Sequence, residues 1–217
     1  MSVTPRPVAR RSGDRDPERR ERILQAAERA FVRHGFHAAT MQHVADEIGM
    51  SPGNLYRYFP SKEAIVEGLC AVEQAERAHA FAELMSHDGA ITEAIFAALR
   101  EHVLARPVEK ARMIIEIWAE AGRNPRVSEI TRAVDADVMS GLERLMDAAK
   151  AAGAASPALD SRFGARFFFT FVAGLFKRIA IERDFDRASE TAIAVGVLKA
   201  LFAGALTPDQ PQSGKET

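Results

Sequence analysis

The chain has 217 residues, of which 47% are apolar and 27% charged, enough for a real hydrophobic core in one domain or two small ones. Its only cysteine, Cys70, excludes an internal disulfide. "MSVTPRPVARRSGDRDPERRERI" lacks the apolar core of a signal peptide, and "FFFTFVAGLF" (residues 167–176) is about half the length of a membrane span, so a soluble protein of the reducing cytoplasm with no membrane partner is expected. The net charge of -1 hides an asymmetry: residues 1–62 carry 11 Lys and Arg against 7 Asp and Glu, and the remainder 18 against 23. A basic head on an acidic body implies an anionic partner at one end.

The apolar residues recur at three- and four-residue spacing, and alternating β-branched runs are missing, which predicts an all-α fold of nine helices. Asp16-Pro17 starts the first; Ile23, Ala27, Ala30 and Phe31 share its face, and Gly35 stops it. Thr40 caps a short second helix with Met41, Val44, Ala45 and Ile48 inward and Gly49 as its stop. Ser51-Pro52 opens a third that ends near Phe59-Pro60, and Ser61 caps a longer fourth. The fifth follows Asp88-Gly89 and carries Ile91, Ile95, Leu99 and Val103. The sixth runs from about Val108 to Ala121, and Asn124-Pro125 starts the seventh. Ser156-Pro157 starts the phenylalanine-rich eighth, and the last spans about Asp186 to Ala205. A flexible basic arm (1–16), a head (17–62), a body (63–206) and a disorder-like tail (207–217) follow.

"GMSPGNLYRYFPSKEAI" is the most informative stretch. Helix, a three-residue turn (Gly49, Met50, Ser51) and helix again is the helix-turn-helix plan. Gly49 supplies the positive φ of the turn, and Pro52 is harmless at a first helical position. Gly53 lets another surface approach closely. The second helix of such a motif puts its N-terminal residues in the major groove. Tyr56 and Tyr58 end in hydroxyls suited to phosphate oxygens, and Arg57 suits a guanine edge or a phosphate. Asn54 can read adenine, and Lys62 is placed to reach the DNA backbone. Thr40, Met41, Gln42, Ser51 and Pro52 complete the candidate DNA-binding set.

At these residues the chain resembles a known family. "AAERAFVRHGF", the threonine before the second helix, "VADEIGMS" and above all "LYRYFPSKE" resemble the DNA-binding region of TetR/AcrR transcriptional regulators over about 45 residues. The resemblance implies a homodimer on a palindromic DNA operator, usually a repressor, released when a small-molecule inducer binds the larger domain. Pro52-Gly53-Asn54 departs from the polar-glycine-hydroxyl pattern of many members, so base preference here is its own.

For the body, Met113, Ile117 and Trp118 surround Glu116, with Glu120 close behind; polar groups in an apolar surface orient ligands. With His102, Met139, Phe167 and Phe171 they form the candidate ligand-binding set, and the aromatic content favours an amphipathic or aromatic inducer, as in members that control drug efflux. In the last helix Ala188, Ala192, Gly196, Ala200 and Gly204 recur every four residues, a small-residue stripe that lets a partner helix approach. The resemblance implies a dimer through the last two helices, so this stripe is the candidate dimer interface. His34, His37 and His43 lack the further ligands of a metal site, and no nucleophile–base pair accompanies His79, His87 or His102; no metal, cofactor or catalytic residue is expected. Rival readings are an activator or a regulator without a ligand, a helical enzyme with a borrowed head, and an architectural DNA binder.

Overall fold

The computed structural model describes residues 16–85 and 91–207. The basic arm with Arg6, Arg10, Arg11 and Arg15, the side chain of Asp16, His87, the Asp88-Gly89 helix start and the tail from residue 208 lie outside the described residues. Among those described there are nine α-helices and no strand: α1 (Asp16–His34), α2 (Met41–Ile48), α3 (Pro52–Tyr56), α4 (Lys62–Met85), α5 (Ile91–Ala98), α6 (Val108–Ala121), α7 (Pro125–Ala151), α8 (Ser161–Ile181) and α9 (Arg187–Phe202). A π-helix, Leu99–Leu104, continues α5. The chain divides into two compact units, one ending at Leu69 and the other beginning at Cys70, within α4.

The first unit is built on the apolar face of α1. Ile23, Ala27, Ala30 and Phe31 are completely or almost completely buried, together with Phe36, Val44, Leu55, Phe59 and Ile65. Phe31 meets Phe36 edge to face at 5.1 Å. Each such large side chain contributes about 1.5–3 kcal/mol on burial. Arg29 and Arg33 hold Glu47 at 2.9 and 2.7 Å, which fastens α1 to α2.

The second unit is a helix cluster with α6, α7 and α8 packed on one another. Its core takes Leu84 from α4, Ile95 and Phe96 from α5, Leu142 and Leu145 from α7, Phe168 and Leu175 from α8, and Leu198 and Leu201 from α9.

Four boundaries differ from the sequence reading. The third helix stops at Tyr56 instead of near Phe59, because Phe59 precedes Pro60 and is steered from helical geometry, and its ring turns fully inward. The fifth changes to π-helix at Leu99, where Ala105 N–H bonds to the Arg100 carbonyl at 2.8 Å. Five-residue hydrogen bonding puts Leu104, 2% exposed, in the core, while Val103, expected there from four-residue periodicity, packs against it half-buried. Ser156-Pro157 forms a turn and not a helix start. The Ser156 hydroxyl accepts from Ala158 N–H and its own N–H donates to the Phe202 carbonyl, while α8 opens after Asp160, whose carboxylate accepts from the N–H groups of Arg162 and Phe163. Finally α9 ends at Phe202, so Gly204 lies beyond the helix, at φ +71°.

Candidate nucleic-acid interface

The helix-turn-helix is fixed by its own caps. The Thr40 hydroxyl accepts from His43 N–H while His43 Nδ1 accepts from Thr40 N–H, a reciprocal box that starts α2. Gly49, at φ +71°, ends α2 in the left-handed conformation, and Met50 N–H bonds back to the Ala45 carbonyl. The Ser51 hydroxyl then accepts from the N–H of Asn54, three residues on, with Pro52 as the first residue of α3. Leu55, fully buried, pins the five-residue α3, which is too short to be stable in isolation.

Around that anchor the candidate contacts point outward. Ser51, Gly53 and Arg57 are exposed, Tyr56 is 50% exposed, and Pro52, Asn54 and Tyr58 are half-buried. At the start of α2, Thr40 and Gln42 are exposed and Met41 is half-buried. The Arg57 side chain has no hydrogen bond or ion pair among the described residues. A Cβ added at Gly53 would meet nothing within 4 Å. Glycine therefore satisfies no packing need inside the chain, yet costs helix stability.

Lys62 is held within the head. Its ammonium donates to the carbonyls of Phe36, His37 and Ala39 at 2.9, 3.3 and 3.1 Å and sits 4.5 Å from the Phe36 ring centroid. An ammonium has three N–H donors, and in this structure three carbonyls of the loop after α1 accept from it. Arg20 acts similarly, with Nη1 on the Tyr58 carbonyl at 3.0 Å and its guanidinium over Phe59. His34 and His43 stack with ring centroids 4.1 Å apart.

In the second unit the predicted ligand residues are dispersed. Met139, Phe167 and Phe171 pack against the main core. Met113 and Ile117 are buried. Trp118 is half-buried, 6.1 Å from Phe176, and Glu116 is half-buried on the same helix. Glu120 accepts from Arg123 at 2.7 Å, and His102 is exposed on the π-helix. A cleft of about 460 Å³ opens elsewhere, between Thr92, Phe96, Ser156, Lys199 and Phe202, and none of the predicted ligand residues lines it. A sequence face is thus not a cavity: the predicted residues on α7 and α8 pack into the main core and do not line the cleft.

Residues 23–69 match the family model of bacterial regulatory proteins, tetR family, and residues 90–203 that of the BetI-type transcriptional repressor, C-terminal region. The chain belongs to the TetR family. Among similar TetR-type proteins, the HTH-type transcriptional regulator UidR of Escherichia coli K12 is 29% identical over 191 residues, 87% of this chain and 93% of UidR. The solved structure of Salmonella enterica GusR superposes with a TM-score of 0.71 at 27% identity, covering 84% of this chain and 94% of that one. Bacillus subtilis FadR in complex with stearoyl-CoA shares the fold, with a TM-score of 0.69 at 19% identity over 85% of this chain and 98% of that one. The chain is thus a TetR-family transcriptional regulator. No helix among the described residues is long and apolar enough to cross a membrane.

In this TetR-family body the small-residue positions of the last helix differ in exposure. Ala188, Ala192 and Gly196 are exposed, Ala200 is half-buried, and Ile193 on the same side is 50% exposed. A Cβ at Gly196 would meet nothing within 4 Å. Gly204 is excluded from the stripe: it sits past the helix end, and a Cβ there would lie 3.1 Å from the Ser156 hydroxyl. On α8, Gly174 is likewise open and Ile181 is 62% exposed.

Proposed function

We propose that this regulator is a homodimeric, cytoplasmic repressor that binds a palindromic operator through α2, the Gly49–Ser51 turn and α3, and releases it when a small amphipathic or aromatic molecule binds the unit beginning at Cys70. The observation that carries the DNA reading is the outward display of Tyr56 and Arg57 on a buried Leu55 anchor, next to a glycine with open space before it. Arg57 and Asn54 supply base recognition, and Tyr56, Tyr58, Ser51 and Thr40 supply contacts to phosphate. Lys62 has no place in this set. Dimerisation uses the exposed faces of α8 and α9, where Gly174, Ile181, Ala192, Ile193 and Gly196 lie open in the single chain. Similar folds described with stearoyl-CoA or choline support a small-molecule effector. An aromatic inducer fits control of an export system.

The test starts from an operator selected out of random DNA with the purified protein. Arg57→Ala should cost about 1–3 kcal/mol and relax preference at one base pair. Tyr56→Phe should weaken binding alike on every sequence, because a phosphate contact carries no base information. If both variants hold the operator as tightly as wild type, the interface lies elsewhere.

A further inference from the structure

Within the second unit, three cations from two parts of the chain converge on one carboxylate. Arg106, just after the π-helix, meets Glu73 of α4 with Nη1 at 3.2 Å and Nη2 at 3.5 Å. Lys110 of α6 reaches the same carboxylate at 2.9 Å, and Arg77, one turn along α4, lies 3.7 Å from it through Nη1. All four side chains are mostly shielded, with 16–28% of their surface exposed. Even with Lys110 set aside, two guanidiniums share one carboxylate. Burial pushes the Glu73 carboxyl up, but Arg106 and Lys110 outweigh it and hold it below its usual value, so Glu73 is fully charged at neutral pH and still does not balance its neighbours.

The decisive detail is on Arg77. Its Nε and Nη2 are buried and have no hydrogen-bond partner. These two nitrogens form one edge of the planar guanidinium, with N–H bonds running parallel. That edge matches the two oxygens of a carboxylate or phosphate. Buried donors are nearly always satisfied, so an orphaned pair on one edge requires an explanation. Nearby, Arg106 also lies over the Phe176 ring at 5.3 Å, and Phe176 lies 6.1 Å from Trp118. Arg106, which shares Glu73 with Arg77, therefore links the unpaired donors of Arg77 to an aromatic pair.

We propose that Arg77 and Arg106 form an anion-recognition subsite, which takes a carboxylate or phosphate monoester carried on an apolar or aromatic body, with Phe176 and Trp118 against that body. This rests on the reading of the Cys70-onward unit as the effector domain. It adds a charge requirement: the effector is an amphipathic anion. The anion occupies the Nε/Nη2 edge of Arg77, while Glu73 keeps Arg106 oriented.

The test uses the full chain without DNA, at constant ionic strength, with benzoate and phenyl phosphate as anionic probes and benzamide as the neutral match. Calorimetric titration should give saturable binding of at least one anion, about tenfold or more tighter than benzamide. The anion that binds tighter distinguishes a carboxylate from a phosphate ligand. Arg77→Met keeps the stem, removes the unpaired donors and should abolish the preference while melting no lower than wild type. Arg77→Lys keeps charge without the fork, and should bind the same anion about tenfold more weakly; it decides the matter should Arg77→Met fail to fold. No saturable anion binding, equal binding of benzamide, or a preference that survives in these variants would overturn the subsite. Failure to select any operator would sink the repressor reading instead, and these titrations do not depend on it.

Discussion

Replacing Lys62 by Met separates two jobs that a lysine at the start of α4 can perform. Methionine keeps most of the apolar stem and removes the ammonium. In the folded head that ammonium serves three carbonyls and the Phe36 ring. The His37 carbonyl is exposed and is rehydrated when the lysine is lost; the bonds to Phe36 and Ala39 are part-buried and are not fully replaced. Counting two bonds from a charged donor and the ring contact, less what water restores, gives a loss of about 2–4 kcal/mol. Urea unfolding is the assay. Both tyrosines, Tyr56 and Tyr58, lie in the head and the sole tryptophan, Trp118, in the second unit, so tyrosine absorbance and tryptophan emission follow the two units separately. The tyrosine transition should move to lower urea and the tryptophan transition should stay. Operator affinity, corrected for the folded fraction, should keep its salt dependence. A phosphate contact predicts the reverse: unchanged stability, and a salt slope shallower by roughly 0.9 for each phosphate lost. That pair of results would refute the assignment of Lys62 as an internal clamp.

Two further outcomes are expected. Gly196→Leu should leave the helices intact, since a Cβ there meets nothing within the chain, and should weaken the dimer by about 1–3 kcal/mol through bulk alone; sedimentation at graded concentration checks this, and a dimer as tight as wild type moves the interface off α9. Because Glu73 titrates below its ordinary value of 4.5, its stabilising effect is complete above that value and is lost as pH falls through the lower folded one. Glu73→Gln should therefore flatten the acid limb of the tryptophan-detected stability profile below about pH 4.5, and an unchanged limb would exclude Glu73 as a contributor.

The helix-turn-helix was legible because its signals are local. Thr40 and Ser51 cap helices three residues away, Gly49 sets one φ, and Pro52 marks one helix start, so the chain within a dozen residues contains the whole physical cause. The stripe on α9 was readable for the same reason: helical period needs no partner. Where a local signal has two uses, tertiary context chose between them. Ser156-Pro157 starts a helix or makes a turn with equal ease, and the Phe202 carbonyl, 46 residues along the chain, takes the Ser156 N–H and makes it a turn. Gly204 continues the spacing of the stripe but serves as a left-handed residue past the end of α9.

The side-chain assignments of charge were set only by the fold. Lys62 reads as a surface cation because nothing in the sequence announces that three carbonyls more than twenty residues earlier surround its ammonium. Glu73 and Arg77 are four apart, as are Arg106 and Lys110, but nothing in the sequence joins the two pairs, and only the packing of α4 against the start of α6 brings them together. Sequence spacing determines which residues share a helical face, since that follows from 3.6 residues per turn. It does not determine what that face meets, because the energy of a charge depends on the distance, burial and orientation of groups that arrive from elsewhere in the chain.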